Sequence, residues 1–344
     1  MVDDTNNYLS DIDLDIYMFF NLNFSKKIIP LLLILLSLVL SLVIAELVTK
    51  FIYKNQLGIN TDERSIFYRY DENLGWFPIA GSEGIYNVNR SVKIKHNSKG
   101  FRDSEHLVNG KPSIVFSGDS FVWGFDVEET ERFTEKIQQA LPGWNIYNFG
   151  VSGYGTDQEY LLLKSQWDFY RPKIFFLVFC TDNDEDDNSS NMRYGGYFKP
   201  YFIVKGNDLE LKGVPVPRTE NFFFGAHKIL SKSYLVRLIV KAYFKRYGAP
   251  VVLVPNPTQA IIVKMNKFVR DKGSVFIVGL ETRHPILEKF FESEKIPYVN
   301  LENPYRYPVF GHWTPEGHRY VSKKILEFLI QNKFIVGNPN PSSY

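Results

Sequence analysis

At 344 residues, with 40 Lys and Arg against 38 Asp and Glu, the chain carries a formal net charge of +2. That near-balance gives no electrostatic argument for a nucleic-acid partner, and the single cysteine, Cys180, excludes an internal disulfide framework. The length suits one large domain or two small ones.

Residues 1–27 form a polar, acidic N-terminal tail with Asp3, Asp4, Asp11, Asp13 and Asp15, and are expected to be disordered. Ile28 to Ala45 is an uninterrupted apolar run, and with the mostly apolar stretch to Tyr53 it is long enough to cross a bilayer. Pro30 falls in the first turn of that run, where a missing N–H does little harm. A core helix this uniformly apolar would need protein on every side. A cleaved signal usually has a basic start and a shorter apolar region, whereas this run comes after aspartates. The expectation is an uncleaved single-span transmembrane anchor, residues 28–53. Lysines 26 and 27 on one side and 50 and 54 on the other leave its orientation unset by charge.

Residues 54–110 read as an irregular or β-rich lead-in packing on the core. Within it, residues 91–96 alternate like a half-exposed strand. The next stretch, 111–335, alternates strand and helix, which predicts a parallel sheet covered on both faces. Its strands are Ser113 to Phe116, Trp144 to Tyr147, Lys173 to Cys180, Ser274 to Leu280 and Tyr298 to Leu301. Helices are read at Glu129 to Leu141 and Thr156 to Tyr170. A last helix has Thr314 as N-cap and Pro315 at its first position. An insertion, 184–257, holds a hairpin signal around Gly206-Asn207-Asp208 and a helix from about Ala226 to Tyr247. That helix has Lys228, Lys232, Arg237, Lys241 and Lys245 largely on one side: a solvated face, or a contact for anionic lipid headgroups. Residues 336–344 are a C-terminal tail.

Three strand ends carry small or amide residues. Gly118-Asp119-Ser120 ends the first, Asn148 through Gly155 succeeds the second, and Thr181-Asp182-Asn183-Asp184 succeeds the third. Near the far end comes Gly311-His312-Trp313-Thr314-Pro315-Glu316-Gly317-His318. A serine at a strand tip is exposed at the carboxyl edge of a sheet. It needs a base to take its proton and donors for the oxyanion. His312, just ahead of a helix, feels the positive end of the dipole and favours the neutral, proton-accepting form; His318 is its competitor. An acidic metal site of Asp182, Asp184, Asp186 and Asp187 lacks the glycine and terminal glutamate of a calcium loop, so neither metal nor cofactor is expected. His96, His106, His227 and His284 are expected to be ordinary surface or loop residues, and Cys180 a buried small hydrophobe.

These blocks, in this order, resemble the SGNH (GDSL-type) hydrolases over about residues 70 to 335. The resemblance implies a flavodoxin-like three-layer α/β/α sandwich with a five-stranded parallel sheet. It implies Ser120 as nucleophile and His312 as base, with Ser120, Gly153 and Asn183 as the oxyanion hole and Asp119 in support through backbone hydrogen bonds around its turn. Gly100-Phe101-Arg102-Asp103 resembles a segment common ahead of the first block in anchored members, where it covers the sheet. The implied function is a membrane-tethered serine esterase acting on O-acyl esters of carbohydrate or cell-envelope polymers, its catalytic domain outside the cytoplasm. The alternatives are an O-acetyltransferase, a lipid-directed esterase (a lysophospholipase or thioesterase), or a non-catalytic glycan-binding or assembly protein. The chain departs from the family in one place. Pro308, Val309, Phe310 and Gly311 stand where an acid usually precedes the histidine, so a Ser120–His312 dyad or another orienting group is expected.

Overall fold

The computed structural model describes residues 5–59 and 62–335; residues 1–4 and the expected C-terminal tail, 336–344, lie outside them. The chain divides into two compact units, residues 1–58 with 227–243, and residues 59–226 with 244–344.

In the first unit, helix α1 (Thr5–Tyr53) begins inside the acidic stretch for which the composition predicts disorder. Once a long apolar helix exists, each added residue gains a hydrogen bond without a new nucleation cost. Its portion Ile28–Tyr53 is long and apolar enough to span a membrane, and its apolar side chains are exposed, so it is not a core helix. Ser37 and Ser41 return their hydroxyls to the carbonyls of Ile34 and Ser37, at 2.8 and 2.7 Å. That is how hydroxyls are satisfied away from water.

The second unit is built on β1 (Ser113–Gly118), then helix α2 (Phe133–Ala140), β2 (Asn145–Gly150), α3 (Thr156–Tyr170) and β3 (Ile174–Phe179). The insertion carries an antiparallel hairpin, Tyr201–Lys205 with Asp208–Lys212. The helix that the sequence predicts as continuous from about Ala226 to Tyr247 is in fact broken. A helix ends at Ala226, a 3-10 turn covers Leu230–Lys232, and α4 (Tyr234–Tyr247) restarts after Ser233. Serine competes for backbone hydrogen bonds and so favours helix ends over interiors. Then come α5 (Thr258–Asp271), β4 (Val275–Leu280), α6 (Pro285–Glu294), β5 (Tyr298–Asn300) and α7 (Pro315–Gln331). Helices α5 and α6 are not among the elements read from sequence, although Ile261, Ile262, Met265 and Val269 are buried at helical spacing.

The sheet is parallel throughout, in the order β5-β4-β3-β1-β2. Alternation along β3 sends Ile174, Phe176 and Val178 to one face and Phe175, Leu177 and Phe179 to the other. The first set packs with Ile137 of α2 and Val321, Ile325 and Leu329 of α7. The second packs with Leu162 and Trp167 of α3, Ile261 and Met265 of α5, and Phe291 of α6. The result is a three-layer α/β/α sandwich, which fits the SGNH α/β fold. Its connections reverse direction at β1 and β3, and in open α/β sheets ligands bind beyond the carboxyl strand ends at such a point.

The lead-in closes the α3 side. Phe101 stacks on Phe149 with centroids 4.4 Å apart. Arg102, fully buried, donates to the carbonyls of Trp123, Gly124 and Val127. Asp103 accepts the Asn148 N–H at 2.8 Å. The segment expected to cover the sheet therefore also holds the loop after Ser120.

Candidate active site

Strand β1 ends at Gly118, where an added Cβ would lie 2.4 Å from Val122 Cγ2 and 2.9 Å from the Val178 carbonyl; only glycine fits this turn. Asp119 then caps the single helical turn Ser120–Trp123, its Oδ1 accepting the Phe121 N–H at 2.9 Å. That is the backbone role expected of it. Burial raises the Asp119 carboxyl above its ordinary value. Ser120 is thus presented at the carboxyl edge of the sheet, with Oγ 3.3 Å from Asp119 Oδ2 and 2.7 Å from Nε2 of His312.

His312 comes from the loop between β5 and α7, 192 positions along the chain. Thr314 caps α7 through the Gly317 N–H at 3.3 Å. The loop ahead of it is held by the Tyr307 N–H on the His312 carbonyl at 2.8 Å. The Arg306 guanidinium donates to the Gly311 carbonyl at 3.2 Å and pairs with the buried carboxylate of Glu281. Among the described residues no group bonds Nδ1 of the imidazole, which is buried without a partner. The ring lies against Phe125, centroids 4.4 Å apart and nearly parallel, and against Phe121 at 5.0 Å. Burial, and secondarily the charge of Arg306, lower the His312 imidazole to about 4, so it is neutral and able to accept a proton at ordinary pH.

Asn183 caps the short helix after β3. Its side chain lies by the Asp119 carboxylate, with its Oδ1 buried and unpaired. Gly153 sits in the loop after β2 at φ +80, where a Cβ would meet Tyr194 Cε2 at 2.7 Å and Arg64 Nη1 at 2.8 Å. Such an approach in a left-handed conformation requires glycine. Ser120, His312 and Asn183 line one cavity of about 590 Å³.

The same cavity takes residues that sequence reasoning does not single out: Arg64 and Tyr86 from the lead-in, Arg193 and Tyr194 from the insertion. Arg64 bonds Glu63 Oε1 at 2.9 Å and stacks 3.8 Å from the Tyr194 ring. No local motif marks these positions, since they reach the site only through the fold.

The remaining candidates separate cleanly. His318 is buried away from Ser120, accepts the Phe133 N–H at 3.2 Å and stacks on the Phe133 ring. Burial lowers it to about 3, so it serves the core. His96 and His106, expected to be ordinary surface or loop residues, have buried side chains, although His106 as a whole residue is half-buried. His96 bonds Ser82 and Trp123, and His106 lies between Asp103 at 2.6 Å and the Tyr170 hydroxyl at 2.7 Å. Cys180 lines the cavity, but burial pushes its thiol well up, away from thiolate chemistry. Asp184 and Asp187 are buried whereas Asp182 and Asp186 are exposed, so the acidic run points in two directions. Among the described residues no cluster of His, Cys, Asp and Glu could hold a metal ion.

No family model matches the chain, and no curated protein does. Several solved structures do. A lipolytic protein of the G-D-S-L family from Veillonella parvula is 14% identical, over 62% of this chain and 96% of its own, with a TM-score of 0.37. A GDSL-like lipase from Bacteroides thetaiotaomicron is 14% identical over 67% of this chain and 93% of its own, TM-score 0.34. A psychrotrophic esterase from Pseudoalteromonas is 8% identical over 65% and 99%, TM-score 0.38.

Proposed function

We propose that this chain is a membrane-tethered serine esterase that acts on O-acyl esters, acetyl above all, of carbohydrate or cell-envelope polymers. The observation that carries the enzyme reading is the 2.7 Å contact between Ser120 Oγ and a neutral, buried His312 Nε2, on the wall of a cavity at the carboxyl edge of the sheet. His312 takes the Ser120 proton as Oγ adds to the ester carbonyl. The oxyanion is held by the N–H groups of Ser120 and Gly153 and by the Asn183 amide. Collapse expels the alcohol, which receives the proton from His312, and leaves the acyl group on Ser120. Water, activated by the same imidazole, releases the acid and restores the serine.

The dyad departs from a triad in one respect. A triad's acid fixes the imidazole tautomer and stabilises the imidazolium. Here Phe121 and Phe125 fix the ring plane, and Arg306 and Tyr307 fix the loop behind it. Orientation is supplied by packing, and nothing at Nδ1 offsets the positive charge. The unpaired Nδ1 also favours a second reading, a glycan-binding protein of the same fold without turnover. The tether rests on Ile28–Tyr53 as an uncleaved span, with the second unit outside the cytoplasm.

Labelling with a fluorophosphonate probe tests the assignment. The wild-type chain is expected to react and to hydrolyse p-nitrophenyl acetate, and Ser120→Ala and His312→Ala to do neither. Labelling that survives both substitutions overturns the nucleophile. An acyl release accelerated by added glycan marks a transferase, and glycan retention by Ser120→Ala without any turnover in the wild type marks the binding protein.

A further inference from the structure

The N-terminus of α4 is tied to the anchor helix. Glu46, one turn before Lys50 on α1, accepts the Ser233 hydroxyl at 2.7 Å and the N–H groups of Tyr234 and Leu235 at 2.7 and 2.9 Å. Arg237 donates to the Leu57 carbonyl at 3.3 Å. A carboxylate near the end of an apolar span is costly unless it is hydrogen-bonded and close to the headgroup layer. Glu46 meets the first condition through the α4 N-terminus, and its place 18 residues after Ile28 meets the second, since about 20 residues cross the hydrocarbon. The start of α4 is thereby fixed at the level where α1 leaves the apolar layer.

The composition of this region is one-sided. Residues 221–270 contain nine Lys and Arg and no Asp or Glu, in a chain whose net charge is only +2. None of the α4 side chains is buried. Just before it Ile229 is 84% exposed, and on it Ile239 is 60% exposed, with Lys228 and Lys232 exposed beside them. Large exposed aliphatic side chains interleaved with cations and no anions are the make-up of a segment lying in a membrane interface. Each cation near an anionic leaflet adds attraction that falls off within a Debye length.

We propose that residues 228–243 are a second membrane-contacting element, which lies on the bilayer face where α1 emerges and binds anionic phospholipid headgroups. Lys228 and Lys232 meet the phosphates, and Ile229 and Ile239 enter the headgroup–acyl boundary. The proposal rests on the reading of residues 28–53 as a span, and it does not depend on the esterase assignment.

The test uses the full chain reconstituted into vesicles of phosphatidylcholine, alone or with about one third phosphatidylglycerol. Ile239→Cys carries an environment-sensitive fluorophore, and Lys323→Cys, exposed on α7, carries the control; the native Cys180 is buried. Quenching by a lipid nitroxide is expected to be several-fold stronger at 239 than at 323 in the anionic vesicles. It should fall toward the control value in neutral vesicles and in a Lys228→Glu, Lys232→Glu double variant. A label at Ile229→Cys, outside α4, should behave as 239 does, which guards against a local change in the helix. A chain that resists carbonate extraction while its 239 and 229 labels are quenched no better than 323 overturns the contact and leaves the anchor standing. A chain that washes off in carbonate overturns the anchor and this proposal together. Quenching that persists unchanged after charge reversal overturns the anionic-lipid preference.

Discussion

Two imidazoles in the second unit invert the usual association between a carboxylate partner and catalysis. His106 has the carboxylate, Asp103 at 2.6 Å, and the Tyr170 hydroxyl on its other nitrogen, with Phe101 stacked against the ring. It is fully satisfied and walled in. His312 has no acid on its ring, its Nδ1 is orphaned, and among the described residues the ring's polar partner is the Ser120 hydroxyl. Yet His312 is the one that faces a cavity. An acid–histidine pair in a closed interior is a brace, because no substrate atom can reach it. A histidine with a spare partner and open space can do chemistry. No acid stands among the residues just ahead of His312, where the sequence resemblance leads one to expect it, and the His106 pair does not replace it.

This contrast is open to attack at several points. Ser120→Ala or His312→Ala is expected to lower kcat by about 10⁴-fold or more, read with p-nitrophenyl acetate on protein whose circular dichroism is unchanged. Activity retained within tenfold would move the chemistry elsewhere. Gly153→Ala should cost about 10²-fold in kcat through displacement of the oxyanion donor, because the new methyl collides with Tyr194 and Arg64. A rise in KM alone would show that the 153 N–H does not face the oxyanion.

For the braced histidine, Asp103→Asn should spare kcat and cost about 1–3 kcal/mol of stability, seen as a lower Tm. A selective loss of activity well below that Tm would mean that the brace reaches the site. The finest test is pH. Burial holds His312 at about 4, below the ~6.5 of a free imidazole. Protonation removes the base, so kcat/KM should stay level as pH falls and decline only near pH 4. Phe125→Ala, which lets water onto the ring, should move that limb upward toward the free-imidazole value. A wild-type limb already at that value would show that the imidazole is solvated.

Much of this is legible from local pattern. The three central strands, read to Phe116, Tyr147 and Cys180 and ending at Gly118, Gly150 and Phe179, the Thr314-Pro315 cap, and the order of the four blocks are written in short stretches. Buried parallel strands are continuous apolar runs, and helix starts have local chemistry. Helix α3 has the bounds that its sequence predicts, because Pro172 lies just past its end. The break at Ser233 is not legible in the apolar pattern: Ser233 accepts the Val236 N–H as a local cap, and Glu46, distant in sequence, accepts the Ser233 hydroxyl and the Tyr234 and Leu235 N–H groups. The buried histidines escape a sequence reading for a related reason. A lone His or Asp has no periodicity, and burial of a polar side chain depends on partners distant in sequence.

The sequence by itself determined the layered α/β order, the apolar run of α1, and the candidacy of Ser120 and His312 as the reactive pair. Each of these is fixed by side-chain period, by length, or by the residue type the chemistry requires. The tertiary structure alone decided that positions 120 and 312 share a hydrogen bond of 2.7 Å. It also decided that Phe121 and Phe125 wall the His312 ring while its Nδ1 is left without a partner, and that Arg64 and Tyr194 from two outlying segments line the same cavity. Those outcomes depend on which distant segments share space once the core is packed, and packing is a property of the whole chain.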